Sequence, residues 1–284
     1  MGGNLVNVIF EYQFLQNALL ASILASVVCG IIGVIVVEKK LVMMSGGIAH
    51  TAYGGVGMGY LCGFEPIIGA FLFSIAAALG IGFIKRKGSL QSDVTIGLFW
   101  SLGMALGIIF IALMPGYPPD MNSYLFGNIL SVTKADLLLM IILSVLVVLI
   151  VMILFNYWKA YLFDEEFAMI IGIKTTFLEY LLLILIAMTI VVLIRVAGII
   201  MVLALLTAPA AIAGMLSSKL KNRMIIAVIS GTVLCIIGLW ISYVLNIASG
   251  ASIVVLMVLC YFLAYGVRLI YNKFKQKRVT VKST

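Results

Sequence analysis

Long apolar stretches alternate with short clusters of charge along almost the whole chain. Nine of them, at about 14–37, 41–62, 66–84, 94–114, 136–156, 178–194, 197–214, 224–245 and 251–271, approach the ~20 residues a helix needs to cross a hydrocarbon core about 30 Å thick. Helices are expected almost throughout, because a backbone in lipid must satisfy its own hydrogen bonds. Glu65-Pro66 separates the second stretch from the third, and Arg195 to Gly198 the sixth from the seventh. The last two share a charge-free run from Met224 to Val267, too long for one crossing and interrupted at Asn246, Ser249 and Gly250. The pattern predicts an all-α, polytopic transmembrane helical bundle of eight or nine spans, a single domain over residues 1–284.

Two connections are longer than joining requires. Pro115 to Ala135 contains PGYPPD and then a stretch able to form a short helix at one surface, either as a rigid cap or as part of a docking face. Residues 156–177 hold three consecutive acids, Asp164, Glu165 and Glu166, before a short apolar helix and Gly172. Acids suit a helix N-terminus and glycine its left-handed C-terminal cap. This segment reads as a plug for another protein or as an interfacial helix resting on lipid. Three acids together disfavour the second, since they would face anionic headgroups.

The second stretch is the most unusual. Leu41 to Cys62 carries no formal charge and contains the single histidine, His50, among small residues. Gly46 and Gly54 lie one turn before and after it, and Gly57 falls on the same face. Such a face lets backbones approach closely or leaves a groove. Further along, Pro209 within LLTAPAAIAG is placed to kink or interrupt the seventh helix, either toward a water-filled path or as a packing feature.

Composition agrees with the membrane reading: 64% of residues are hydrophobic, 10% charged, and the mean hydropathy is +1.28. The formal net charge of +8 reflects topology rather than nucleic-acid binding. With the N-terminus outside, 16 of the 18 Lys and Arg residues fall on one side, leaving Lys134 and Arg195 for the other. The basic side is then cytoplasmic, together with a basic tail at 272–284. The N-terminal sequence shows no basic n-region or cleavage site, so the first span is expected to be retained. Cys29, Cys62, Cys235 and Cys260 are far apart in apolar sequence and read as packing residues.

The chain has no phosphate-binding loop, no Ser/His/Asp constellation and no clustered Cys/His site, so it is not expected to be an enzyme. Apart from His50, the stretches hold almost no ionisable interior, whereas ion-coupled carriers keep carboxylates at mid-membrane. The energy for any transport is therefore expected to come from outside the chain.

Three segments, SGGIAHTAYGGVGMGYLCG after a basic pair, DEEFAMIIGI, and GIIMVLALLTAPAAIAGMLS, occur in an order and spacing that resemble the permease subunits of the zinc/manganese/iron family of ABC importers. The similarity extends from about Phe14 to Leu269. It implies a prokaryotic plasma-membrane permease related to the type II importers. It also implies a homodimer with a path between protomers, two cytoplasmic ATPase subunits and an extracellular metal-binding protein. The family's E-x-A-x-x-x-G pattern, which forms the ATPase-coupling helix, falls here on Glu166, Ala168 and Gly172. Many members carry an aspartate one turn before the histidine; this chain has Gly46. His50 is thus either a transient pore ligand, helped by Ser45 and Thr51, or an inter-helix hydrogen-bonding group. No tightly bound cofactor is expected, the divalent ion being cargo. Zinc is the first choice of ion and manganese the second, because an imidazole without a carboxylate is a nitrogen-type environment. A secondary metal carrier and a siderophore- or cobalamin-type permease are the alternatives.

Overall fold

The computed structural model describes residues 12–87, 92–117, 122–127 and 129–280, so the expectations for residues 1–11 and for Pro118 to Asp120 lie outside the described residues. The described chain is built from α1 (Gln13–Glu38), α2 (Val42–Cys62), α3 (Pro66–Arg86), α4 (Ser92–Leu113), the short α5 (Asn122–Phe126), a 3-10 turn (Ile129–Ser131), α6 (Lys134–Ile153), α7 (Phe155–Phe163), α8 (Glu165–Ile170), α9 (Thr175–Leu216), α10 (Leu220–Leu245) and α11 (Ser249–Thr280). No strand occurs among the described residues.

Local chemistry sets the boundaries. Gly63 ends α2 in the left-handed conformation, and Pro66 opens α3, where its missing N–H costs nothing. Thr133 and Asp136 form a reciprocal capping box at the start of α6. Asn246 closes α10 at φ 53°.

Seven of these helices are long and apolar enough to cross a membrane, and α9 is one of them at 42 residues. A straight helix of that length would run about 63 Å, twice a hydrocarbon core. It does not run straight: Gly198 sits at φ 72°, ψ 160°, a conformation open essentially only to glycine. Near the start of α9, Glu179 meets Lys85 and Arg86 at the end of α3. Just past its end, the Ser217 carbonyl accepts from Arg223, which pairs with Glu38 at the end of α1. Ala197 and Gly198 instead pack on Phe126 and Gly127 at the opposite end of the bundle. The two limbs of α9 therefore form a hairpin and cross twice.

The glycine-rich α2 falls outside the seven but has 21 residues and is buried along most of its length. Counting it, and both limbs of α9, gives nine crossings among the described residues, the upper of the two expected numbers. Alternation places the ends of α1, α3, α6 and α11 on one side with nearly all the basic residues.

One expectation changes. Pro209 does not interrupt the helix: Gly198 is the only residue with non-helical dihedrals inside α9. The proline ring lies beside Gly231 of α10, so the loss of one backbone hydrogen bond is absorbed by packing. The segment after Pro115 does form the expected short helix, α5, and it sits on the bundle as a rigid cap. Gly127 packs against the α9 reversal, and Ile129 is fully buried. The helix α11 also runs on to Thr280, through most of the predicted tail.

Candidate functional site

His50 lies eight residues into α2, roughly 12 Å along its axis, where α2 packs between α3 and α4. These helices meet through backbone. A side chain at Gly55 would strike the Gly69 carbonyl of α3, and one at Gly54 or Gly57 would come within 2.6 or 2.7 Å of the Gly103 or Gly107 carbonyl of α4. The glycine face is thus occupied by α4 within the single chain.

His50 is half-buried in that seam. Its ring stacks on Trp100 of α4, with centroids 3.9 Å apart and planes inclined by 12°. Its Nδ1 lies 3.4 Å from the Met104 sulfur, one turn further along α4. Trp100 also fills the space beside Gly46, where a Cβ would lie 3.2 Å from the indole ring. Ser45 is fully buried and its hydroxyl donates to the Val42 carbonyl; the Thr51 hydroxyl contacts the carbonyls of Gly47 and Phe99. Of the five residues singled out on α2, His50 alone has side-chain donor atoms not turned to backbone. Among the described residues no three His, Cys, Asp or Glu side chains converge as a metal cage. Trp100 and Met104 were not identified from sequence. Their i, i+4 spacing beside Gly103 and Gly107 is the signal that pairs them with α2.

The second constellation lies at the basic end. The Asp164 carboxylate caps α8 by accepting from the Phe167 N–H at 3.0 Å. Glu165 pairs with Lys39 at 2.6 Å, and the Lys39 ammonium lies 3.6 Å above the Tyr161 ring. Ala168 is fully buried, while Phe163, Phe167, Met169 and Ile170 are exposed. Gly172, at φ 86°, ends the segment in the left-handed conformation. Burial, with Glu179 and Glu165 nearby, pushes the Tyr161 hydroxyl well above its ordinary range, so the ring stays neutral beneath the lysine. Glu179, nearly fully buried, accepts from Lys85 at 2.9 Å and Arg86 at 2.8 Å. Lys39, Tyr161 and Glu179 were also missed from sequence, being spread over three separate segments.

At the other end, Arg195 lies 3.4 Å from Glu65 and 3.5 Å from Asp136, and the Tyr60 and Tyr124 hydroxyls meet at 3.1 Å. The two carboxylates that fall within the apolar stretches, Asp136 and Glu179, thus sit at span ends with cationic partners. Neither lies at mid-membrane.

The ABC 3 transport family model matches residues 11–268. An uncharacterized membrane protein of Synechocystis sp. is 42% identical over 91% of this chain and 92% of its own length. The manganese transport system membrane protein MntC of Listeria monocytogenes is 37% identical over 90% of this chain and 91% of its own. Among solved structures, PsaBC from Streptococcus pneumoniae in complex with Fab superposes with a TM-score of 0.83 at 31% identity, covering 92% of this chain and 94% of that one. The matches run the length of the bundle, through both constellations, and the chain belongs to the ABC 3 transport family as a membrane-spanning permease subunit, not as an enzyme.

Proposed function

We propose that this permease carries a divalent transition-metal ion, zinc in the first place, into the cytoplasm by alternating access at a homodimer interface. The energy comes from two cytoplasmic ATPase subunits, and an extracellular binding protein delivers the ion. The N-terminus is outside and the basic end cytoplasmic, which accords with the distribution of Lys and Arg. Asp164, Glu165, Glu166, Ala168 and Gly172 form the coupling segment. Their support is a capped, apolar-faced helix tied to the α1 end through Lys39.

The observation that carries the choice of ion is the His50 and Met104 pair. An ion about 2.0–2.1 Å from an imidazole nitrogen and about 2.3 Å from a thiolate sulfur, at a near-tetrahedral angle, places those two donors about 3.5 Å apart, and a neutral thioether sulfur lies slightly further out. The observed separation is 3.4 Å. One nitrogen and one thioether suit zinc better than manganese, which favours oxygen. Two donors, with waters or the second protomer completing the shell, let the ion leave again, as conduction demands. Gly46, Gly54, Ser45 and Thr51 serve this path by letting α2 and α4 approach and by keeping hydroxyls out of it. The second reading is manganese, favoured by the name of the Listeria relative.

The test is reconstitution of the complex in proteoliposomes with its own ATPase and binding protein, each metal supplied in turn. Zinc-loaded binding protein is expected to stimulate ATP hydrolysis and uptake, and His50→Ala to lower uptake at least tenfold without changing assembly. Stimulation by manganese alone would replace the first reading with the second. Unchanged uptake by His50→Ala would remove the site.

A further inference from the structure

Two clefts at the basic end adjoin each other beside the Asp164–Gly172 segment. The first, a cavity of about 630 Å³, runs at membrane depth between α1, α6 and α10. Every residue lining it is apolar except Lys221 at its mouth, and it reaches inward past Val151 and Met224 to Val27. Met152, Ile225 and Ile229 on its walls are exposed, so it opens sideways toward hydrocarbon. The second cavity, about 690 Å³, lies just beyond it, between the end of α1, α7 and the turn joining α9 to α10. It shares Phe155 and Lys221 with the first and adds Lys159, Lys219, Arg223 and Glu38, with the exposed rings of Phe163 and Phe167 on the side of the Asp164–Gly172 segment.

The charges of the second cleft are unbalanced. Glu38 is taken by Arg223. Lys159, Lys219 and Lys221 form no ion pair with any described residue. Three unpaired ammonium groups therefore ring the open end of an apolar groove that faces the bilayer. Asn156 adds an amide donor on the same wall.

We infer that the joined clefts hold one anionic phospholipid, its phosphate among Lys159, Lys219 and Lys221 and an acyl chain between α1, α6 and α10. Each half of the site selects for part of that molecule. A soluble anion or an acidic protein surface satisfies the lysines but leaves the membrane-depth groove unfilled. A zwitterionic lipid fills the groove but brings its own cationic group against three ammonium groups. An anionic headgroup with an attached chain meets both requirements at once. Such a lipid would tie α7, the helix immediately before the Asp164–Gly172 segment, to α1 and α10.

The experiment is native mass spectrometry of the purified full chain in neutral detergent, titrated with phosphatidylglycerol or phosphatidylcholine. One phosphatidylglycerol per chain is expected to be retained preferentially. Each basic residue near an anionic lipid contributes about a fivefold factor, so Lys159→Ala with Lys221→Ala should weaken retention roughly twenty-five-fold. Both lysines are exposed, and thermal unfolding of the double variant checks that it is folded. Ile225→Trp, which fills the groove without touching the charges, should also weaken binding; a purely electrostatic surface effect would leave it unchanged. Equal retention of the two lipids overturns the inference, as does an unaffected double variant or an unaffected Ile225→Trp. Release of phosphatidylglycerol from the wild type when the ATPase subunit is added would assign the cleft to that protein instead, and would also overturn it.

Discussion

The seam around His50 and the charged corner around Lys39 place polar side chains at helix contacts in opposite ways. In the seam a lone imidazole meets an indole face and a thioether, with no charge of either sign beside it. In the corner the charges are answered: the partly exposed Glu165 by Lys39, and the buried Glu179 by both Lys85 and Arg86. Under the proposed function the seam lies on the ion path, and a group that an ion must pass has to bind weakly. Under the proposed function, the corner instead joins a coupling segment to a span and has to hold its partner through a movement. Neutral, soft and few donors serve the first need; paired ions with short hydrogen bonds serve the second.

Breaking the seam's backbone contact should have the largest effect. Gly55→Val drives a side chain into the Gly69 carbonyl, with no flexible neighbour able to give way. It should destabilise the bundle by about 3 kcal/mol or more, read as loss of the monodisperse peak in size-exclusion chromatography. At the corner, Glu179→Ala leaves two cations around an apolar pocket and should cost about 1–3 kcal/mol, seen as a lower Tm in detergent. A Tm equal to that of the wild type would mean that water already screens this pair.

The next two changes separate transit from coupling. Met104→Leu preserves volume and removes only the sulfur, so it should leave Tm nearly unchanged. The preference for zinc over manganese uptake should fall about tenfold, equivalent to about 1.4 kcal/mol. Loss of both activities in equal measure would make Met104 a packing residue. Lys39→Ala removes an ion pair whose acidic partner is partly exposed, so stability should change by only about 0–1 kcal/mol. Uptake per ATP hydrolysed should nevertheless fall severalfold in proteoliposomes. Coupled uptake at the wild-type ratio would detach the corner from the mechanism and undo the contrast with the seam.

Much of this was legible in one dimension. The apolar stretches near 14–37, 41–62 and 66–84 correspond to α1, α2 and α3 within a few residues, because length and hydropathy alone decide what a bilayer accepts. The break at Gly198 was visible as a charge followed by glycine. The cap at Asp164 and the terminator at Gly172 could be read from residue type, since capping is local. The behaviour of Pro209 could not. Whether a proline bends a helix depends on what receives its ring, and Gly231 belongs to another helix.

His50 shows the same division. Its place on a small-residue face followed from the 3.6-residue period of a helix. Its stacking on Trp100 and its contact with Met104 depend on which helix α2 packs against, and the glycine carbonyls of α4, from Gly103 to Gly54 and from Gly107 to Gly57, set that register.

The sequence by itself thus determined that this chain lives in a membrane, where its helices start and stop, which end collects the positive charge, and that its single histidine sits on a face of small residues. Those properties depend on hydropathy, local capping and residue count. The tertiary structure alone decided that α9 folds back on itself, that a thioether and an indole surround the imidazole, that Lys39, Tyr161 and Glu165 meet, and that an apolar groove opens beneath three lysines. These are encounters between distant segments, set by how closely glycine-lined backbones can approach and by which charges must find partners when buried.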